Sequence, residues 1–122
     1  MKIIGILGFA GSGKGTIGQY MVKHHDFIET SYAKTLKDCV AAIFGWSREL
    51  IEGDTVESRE WREQADPWWS KKLGRPVTPR WALQYLGTDI MRMHFNTNIW
   101  IWSVEKQILD LNQNVVITDA RF

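Results

Sequence analysis

The sequence predicts an α/β fold, a three-layer α/β/α arrangement in which helices flank a parallel sheet and a helical insertion departs from it. Three observations predict it. An apolar run, Ile3 to Leu7, leads into a glycine-rich turn and then a helical pattern beginning near Ile17. A second apolar run, Val115-Val116-Ile117-Thr118, reads as a buried strand that ends in a carboxylate, Asp119. Between them run helical patterns, and apolar strands alternating with helices are the signature of a parallel sheet.

Residues 2–8 are read as a buried parallel strand and 14–25 as the helix that follows the glycine turn. Ile17, Tyr20, Met21 and His24 recur at one-face spacing along that helix. His24 and His25 have no third ligand nearby and are read as a solvated helix end. Phe27-Ile28-Glu29-Thr30 is a second short strand. A helix then runs from about Ala33 to Phe44, with Leu36, Val40, Ile43 and Phe44 on its inner stripe and Lys34, Lys37 and Ala41 on a neighbouring face.

Gly45 ends that helix, and Trp46 to Pro79 is the least regular segment. It holds short helical patterns at 47–51 and 56–64, interrupted by Gly53, Pro67, Gly74, Pro76 and Pro79. So long an excursion from an α/β core is usually functional, often a substrate-binding arm or lid. Thr78-Pro79 reads as a helix start, with Thr at the N-cap and Pro in the first turn. That helix reaches about Phe95. Leu83, Leu86, Ile90 and Met93 form its apolar stripe, and Gln84, Thr88 and Arg92 lie along the opposite side with Trp81 and Tyr85. A further helix from Asn98 to Leu111 precedes the final strand, 115–119. No linker composition divides the chain, so 1–122 is expected to be one domain.

Bulk composition narrows the class. A formal charge of +1 on 122 residues gives no long-range field for a nucleic acid polymer. One cysteine, Cys39, excludes an internal disulfide and a cysteine-rich zinc site, and is read as a buried free thiol in a reducing compartment. No secretion signal and no apolar stretch of membrane-spanning length is found, so a cytoplasmic protein without membrane attachment is expected. Seven tryptophans cluster between Trp46 and Trp102. Aromatic faces can stack on a nucleobase, but core or lid packing accounts for most of them.

The segment Gly8-Phe9-Ala10-Gly11-Ser12-Gly13-Lys14-Gly15-Thr16 carries the chemistry. Its glycines let successive N–H groups curl toward one anion, the helix start adds its positive dipole end, and Lys14 adds a full charge. The alternative is a glycine-rich turn with an incidental lysine. Gly15 occupies the position after the lysine where P-loops place a magnesium-binding hydroxyl, and the hydroxyl comes one residue later, at Thr16. This form resembles adenylate kinase and other nucleoside monophosphate kinases, which usually have proline where this chain has Ala10. The resemblance implies a P-loop NTPase-like fold, with ATP cradled by Gly11, Ser12, Gly13, Lys14, Gly15 and Thr16. It also implies magnesium (Mg2+) held largely through water and the nucleotide phosphates, with Thr16 on phosphate.

Asp119 stands where a P-loop fold places a carboxylate to hold magnesium-bound water, and capping a helix is the other reading. Arg121 either reaches a phosphate or lies on the surface. Bringing two phosphates together requires cations on both. Lys14 serves the donor, while Lys37 and Arg92 are candidates for the acceptor, Arg92 through paired hydrogen bonds. Gln84 and Asp89 could read a base or sugar. Each of these four is equally explained as a solvated polar group on a helix.

A more specific resemblance rests on ordered blocks spread over the whole chain. They are Tyr32-Ala33-Lys34-Thr35-Leu36-Lys37, Phe44-Gly45-Trp46, Glu52-Gly53-Asp54-Thr55, Ser58-Arg59-Glu60-Trp61-Arg62 and Asp66-Pro67-Trp68-Trp69. Thr78-Pro79-Arg80-Trp81-Ala82-Leu83-Gln84, Gly87-Thr88-Asp89 and Asp119-Ala120-Arg121-Phe122 continue the series. Together they resemble the bacteriophage-type deoxynucleoside monophosphate kinases. That implies transfer of the terminal phosphate of ATP to a deoxynucleoside 5′-monophosphate, in the host cytoplasm if the protein is phage-encoded. It assigns Lys37, Arg62 and Arg92 to the acceptor side, with a helical acceptor-binding region of about 46–96, and Lys14, Asp119, Arg121 and Arg92 to the catalytic centre. A homodimer is compatible with it. Members of that family continue past the Asp-x-Arg-Phe segment with further helices, strands and an arm of donor-side arginines, so the chain is expected to be an N-terminal portion. Two alternatives stand beside it: a P-loop kinase of another small metabolite (dephospho-coenzyme A or shikimate-like), and a nucleotide-binding module that transfers no phosphate.

Overall fold

The structure, a computed structural model, describes residues 2–5 and 14–119. It is a mixed α/β architecture with a small parallel sheet and mostly helices, divided into two compact units. Residues 1–35 with 100–122 form the first unit and 36–99 the second.

Three parallel strands organise the first unit: β1 (Ile3–Gly5), β2 (Ile28–Thr30) and β3 (Val115–Ile117), in the spatial order β1-β3-β2. Ile3 and Ile28 both stand opposite Val115, and Gly5 and Thr30 opposite Ile117. All three residues of β3 are buried, as the unbroken Val-Val-Ile run of a central parallel strand requires. The expectation of a buried first strand is corrected. Among the described residues β1 is an edge strand, and Ile3 is 51% exposed. The rest of the expected first strand, 6–8, lies outside the described residues.

Helix α1 (Lys14–His25) packs on β2 and β3, but not by the face its apolar spacing suggests. Ile17 and Tyr20 are exposed, whereas Gly18 is buried. The space a Cβ would occupy at Gly18 is already taken by the side chains of Thr118 and Glu29. A glycine in mid-helix is thus the device that brings the α1 backbone onto the sheet. Helix α2 (Tyr32–Phe44) begins in this unit and continues into the second. Beyond the second unit, α7 (Ile99–Leu111) turns Val104 and Ile108 onto Val115, Ile117 and Tyr32.

The second unit is helical. After α2 come α3 (Arg48–Glu52), α4 (Val56–Arg62), α5 (Pro67–Leu73) and α6 (Pro79–Gln84). Each of these four helices opens on a side-chain cap, from Ser47, Thr55, Asp66 and Thr78 respectively. Helix α5 departs from the sequence expectation, in which Pro67 interrupts structure. Asp66 accepts the Trp69 amide and Pro67 takes the first helical position, the same start signal as Thr78-Pro79. Val40, Ile51 and Ala82 form the core, with Leu36, Trp46, Trp61, Trp81 and Leu86 packed around them. Ile43, expected on the inner stripe of α2, is exposed. Cys39 is a free thiol and only half-buried.

Past Gln84 the helix widens into a π-helical segment, Tyr85–Phe95, whose bonds reach back five residues, as from the Asn96 N–H to the Met91 carbonyl at 2.9 Å. The expected straight stripe therefore breaks. Leu86 and Ile90 are half-buried, but Met93 is 73% exposed. A wider turn carries residues three and four apart off a single line. Among the described residues, no helix is long and apolar enough to cross a membrane.

Candidate functional site

At one edge of the sheet in the first unit, chain direction alone brings two chemically pointed segments together. β1 and β3 are parallel neighbours with Gly5 opposite Ile117, so the residues C-terminal to each strand emerge at the same edge. After β1 comes the glycine-rich segment. Gly11, Ser12 and Gly13 lie outside the described residues, and the backbone of Lys14, Gly15 and Thr16 forms the first turn of α1. After β3 comes Asp119. Arg121 is outside the described residues.

The Asp119 carboxylate is engaged. Its Oδ1 accepts the Tyr32 amide at 2.6 Å and its Oδ2 accepts the Ala33 amide at 3.0 Å. These are free donors of the first turn of α2, so Asp119 caps a helix that lies far earlier in the chain. Thr118 adds its amide to the Thr30 carbonyl at 3.0 Å, fixing the approach. Each carboxylate oxygen keeps a further lone pair, so a capping role and contact with water are compatible.

The second unit gathers cations at the C-terminal end of α3. The Lys37 ammonium donates to the Glu52 carbonyl at 3.1 Å and lies 3.5 Å from the Glu52 carboxylate. Arg62 reaches the Ile51 carbonyl at 3.5 Å and Arg59 the Gly53 carbonyl at 3.4 Å. Last-turn carbonyls draw positive charge, but contacts this long are weak and leave donors unspent. The Arg62 Nε is buried with no partner among the described residues. Gly53 is the residue that permits this, with φ at +74° and no room for a Cβ beneath the guanidinium. The expected acceptor residues Lys37 and Arg62 thus come together, and Arg59 joins them. Sequence reasoning passes over Arg59 as a site residue, although its three-residue spacing from Arg62 places both on one helix face.

Arg48 bridges this cluster to α2, at 2.6 Å from both Asp38 and Glu52. Burial pushes the Glu52 carboxyl up, but the Arg48 hydrogen bond and the Lys37 and Arg48 charges outweigh it and hold Glu52 below the usual carboxylate range.

A cleft of about 630 Å³ opens elsewhere in the second unit, walled by Phe44, Leu73, Trp81 and Tyr85, with Arg75 and Asp89 also in its lining. The Arg75 guanidinium sits 4.2 Å over the Trp81 ring, and Trp81 stacks on Tyr85 at 4.9 Å with planes 11° apart. Arg75 carries no sequence signal beyond its place after Gly74. Of the remaining expected residues, Gln84 and Arg92 are exposed and lie outside the cleft lining, and Asp89 is exposed within it. None of these three side chains bonds to a described residue.

No family model matches the chain. Over 134 aligned positions it is 34% identical to a protein of Acanthamoeba polyphaga mimivirus, whose name assigns it provisionally as a deoxynucleotide monophosphate kinase. The match covers 100% of this chain and 65% of the viral protein. The chain therefore spans just under two thirds of that relative's length. This similarity supports a kinase at a coarse level.

Proposed function

We propose that this chain carries the donor and acceptor sites of an ATP-dependent kinase that converts deoxynucleoside 5′-monophosphates to diphosphates on a P-loop-type fold. The observation that carries the reading is the shared sheet edge. β1 leads into the glycine-rich segment, α1 opens at Lys14, and the neighbouring parallel strand delivers Asp119 to the same edge. In open parallel sheets that edge is where ligands bind. The name of the viral relative, similar over the whole of this chain, points the same way.

On this reading the amides of 11–16 cradle the polyphosphate of ATP, Lys14 neutralises it and Thr16 touches phosphate. Each Asp119 oxygen accepts one amide and keeps a lone pair, which suits a magnesium ion held by nucleotide phosphates and water, with Asp119 contributing through water. ATP with its magnesium supplies the phosphoryl group, and the chain supplies position and charge. Asp119 holds the first turn of α2 in place. Arg62 and Arg59 exchange long carbonyl contacts, and Lys37 its bond to Glu52, for charge-assisted bonds to the acceptor phosphate. Arg92, exposed on the widened helix, and Gln84, exposed just before it, add to the acceptor side.

A coupled ADP-release assay across a panel of nucleoside monophosphates tests the proposal. ADP release is expected only with a deoxynucleoside monophosphate present. Lys37→Ala and Arg62→Ala are each expected to raise the acceptor KM by roughly 10-fold or more, the worth of a hydrogen bond to a charged group, with the KM for ATP little changed. ADP release indifferent to every acceptor refutes the kinase reading.

A further inference from the structure

The cleft of the second unit is left unassigned by the phosphate chemistry, and its composition is that of a base subsite. At about 630 Å³ it falls within the usual size of small-molecule pockets, and like them it is mostly apolar with few polar groups. Its wall is a continuous stack of Arg75 guanidinium, Trp81 indole and Tyr85 phenol. Tyr85 is still 42% exposed, so part of its ring is open to a ligand. A flat aromatic wall of this kind favours any base, since every base has a π face. Stacking alone therefore binds without choosing.

Choice requires a hydrogen-bonding group, and Asp89 is the one carboxylate in the lining. Its side chain forms no hydrogen bond or ion pair with the described residues, so its acceptor capacity is unspent. An ionised carboxylate only accepts. Guanine presents two adjacent donors, N1–H and the N2 amino group. Thymine offers one donor flanked by two carbonyls, whereas adenine and cytosine each set an amino donor beside a ring-nitrogen acceptor that a carboxylate repels.

We infer that this cleft is the base subsite for the acceptor nucleotide and that Asp89 makes it selective for guanine; the inference rests on the kinase reading, which leaves the base unassigned. The test titrates the full chain with dGMP, dAMP, dCMP and dTMP, following tryptophan fluorescence, and measures turnover of the same four. dGMP is expected to bind on the order of 10-fold or more tighter than the others, the discrimination of a good two-bond pair. Asp89→Ala, an exposed position, is expected to bring dGMP to the level of the other three, with no loss of affinity for those three and an unchanged urea midpoint. Tyr85→Leu should weaken all four alike. Equal binding and turnover of the four bases, or a guanine preference that survives Asp89→Ala, overturns the base assignment and leaves the kinase reading standing. Binding without turnover of any nucleotide sinks the kinase reading while the base preference is still read from affinity. Failure to bind any of the four removes both.

Discussion

Replacing Asp119 separates its capping role from its proposed part in turnover. Its carboxylate accepts two first-turn amides of α2, at 2.6 and 3.0 Å. Losing a side-chain N-cap costs about 1 kcal/mol, and the second amide bond, made to a charged acceptor, adds about 1.5 kcal/mol. Asp119→Ala is therefore expected to cost about 2–3 kcal/mol, which a domain of ordinary stability survives. Asp119→Asn keeps one accepting oxygen but turns an NH2 group toward the other amide, so its cost is about 1–2 kcal/mol. Urea unfolding followed by tryptophan fluorescence measures both, with an unchanged slope showing that the same structure unfolds. An Asp119→Ala variant within about 0.5 kcal/mol of wild type, the range of an ordinary surface change, would refute the capping argument. If Asp119 also serves phosphoryl transfer, Asp119→Asn loses more than about 10-fold in kcat while fully folded, a loss that capping alone does not produce.

Three further outcomes rest on individual contacts. Asp66→Ala removes the α5 cap and strands the Trp46 indole N–H, which donates to Asp66 at 2.7 Å; the expected cost is about 2–3 kcal/mol by chemical denaturation. The Trp69 amide and the Trp46 indole together hold Asp66 below the usual carboxylate range, and Glu52 is likewise lowered. Both groups bind fewer protons folded than unfolded, so their contribution is complete above the unfolded values near pH 4 and is lost as pH falls through the lowered ones. Urea midpoints measured down from about pH 6 should show that acid limb, shallower in Asp66→Ala and in Glu52→Gln, and an unaltered limb in both would contradict the assignment. Gly18→Ala gains about 1 kcal/mol of helix propensity but forces a Cβ against Thr118 and Glu29, where overpacking costs about 1–3 kcal/mol. A net loss is expected in thermal melts, and a stabilised variant would mean that α1 does not approach the sheet this closely.

Much of the backbone order is legible in the sequence because its signals are local. Val115–Ile117 declares a central strand by apolar continuity, and Thr78-Pro79 declares a helix start by cap chemistry. Asp66-Pro67 carries the same start signal and is masked only by reading proline as a breaker. What resists reading is whatever depends on a partner. Spacing places Ile17 and Tyr20 inward, but the packed face of α1 is decided by the missing side chain at Gly18. Met93 fits a 3.6-residue stripe, yet the turn widens at Tyr85 and carries it into solvent. At the candidate site, Lys37 and Arg62 are recognisable as charges on helix faces. Their convergence on α3 needs the bend at Gly53, and the Arg75 stack on Trp81 has no periodic trace at all.

The position of β3 has a consequence for how the protein acquires its shape. Among the described residues β1 and β2 do not pair with each other; each is joined only to a strand that lies 112 residues beyond Ile3 and 87 beyond Ile28 in the pairing register. During synthesis the ribosome therefore releases a helical stretch, 36–99, whose contacts are contiguous, well before the sheet has its middle. Such distant pairing is slow to close, and until it does Ile3–Gly5 and Ile28–Thr30 wait as unpaired edges. A chaperone that shields the nascent chain would find its substrate in that interval, and removing residues 115–117 would leave two orphan strands rather than a smaller sheet.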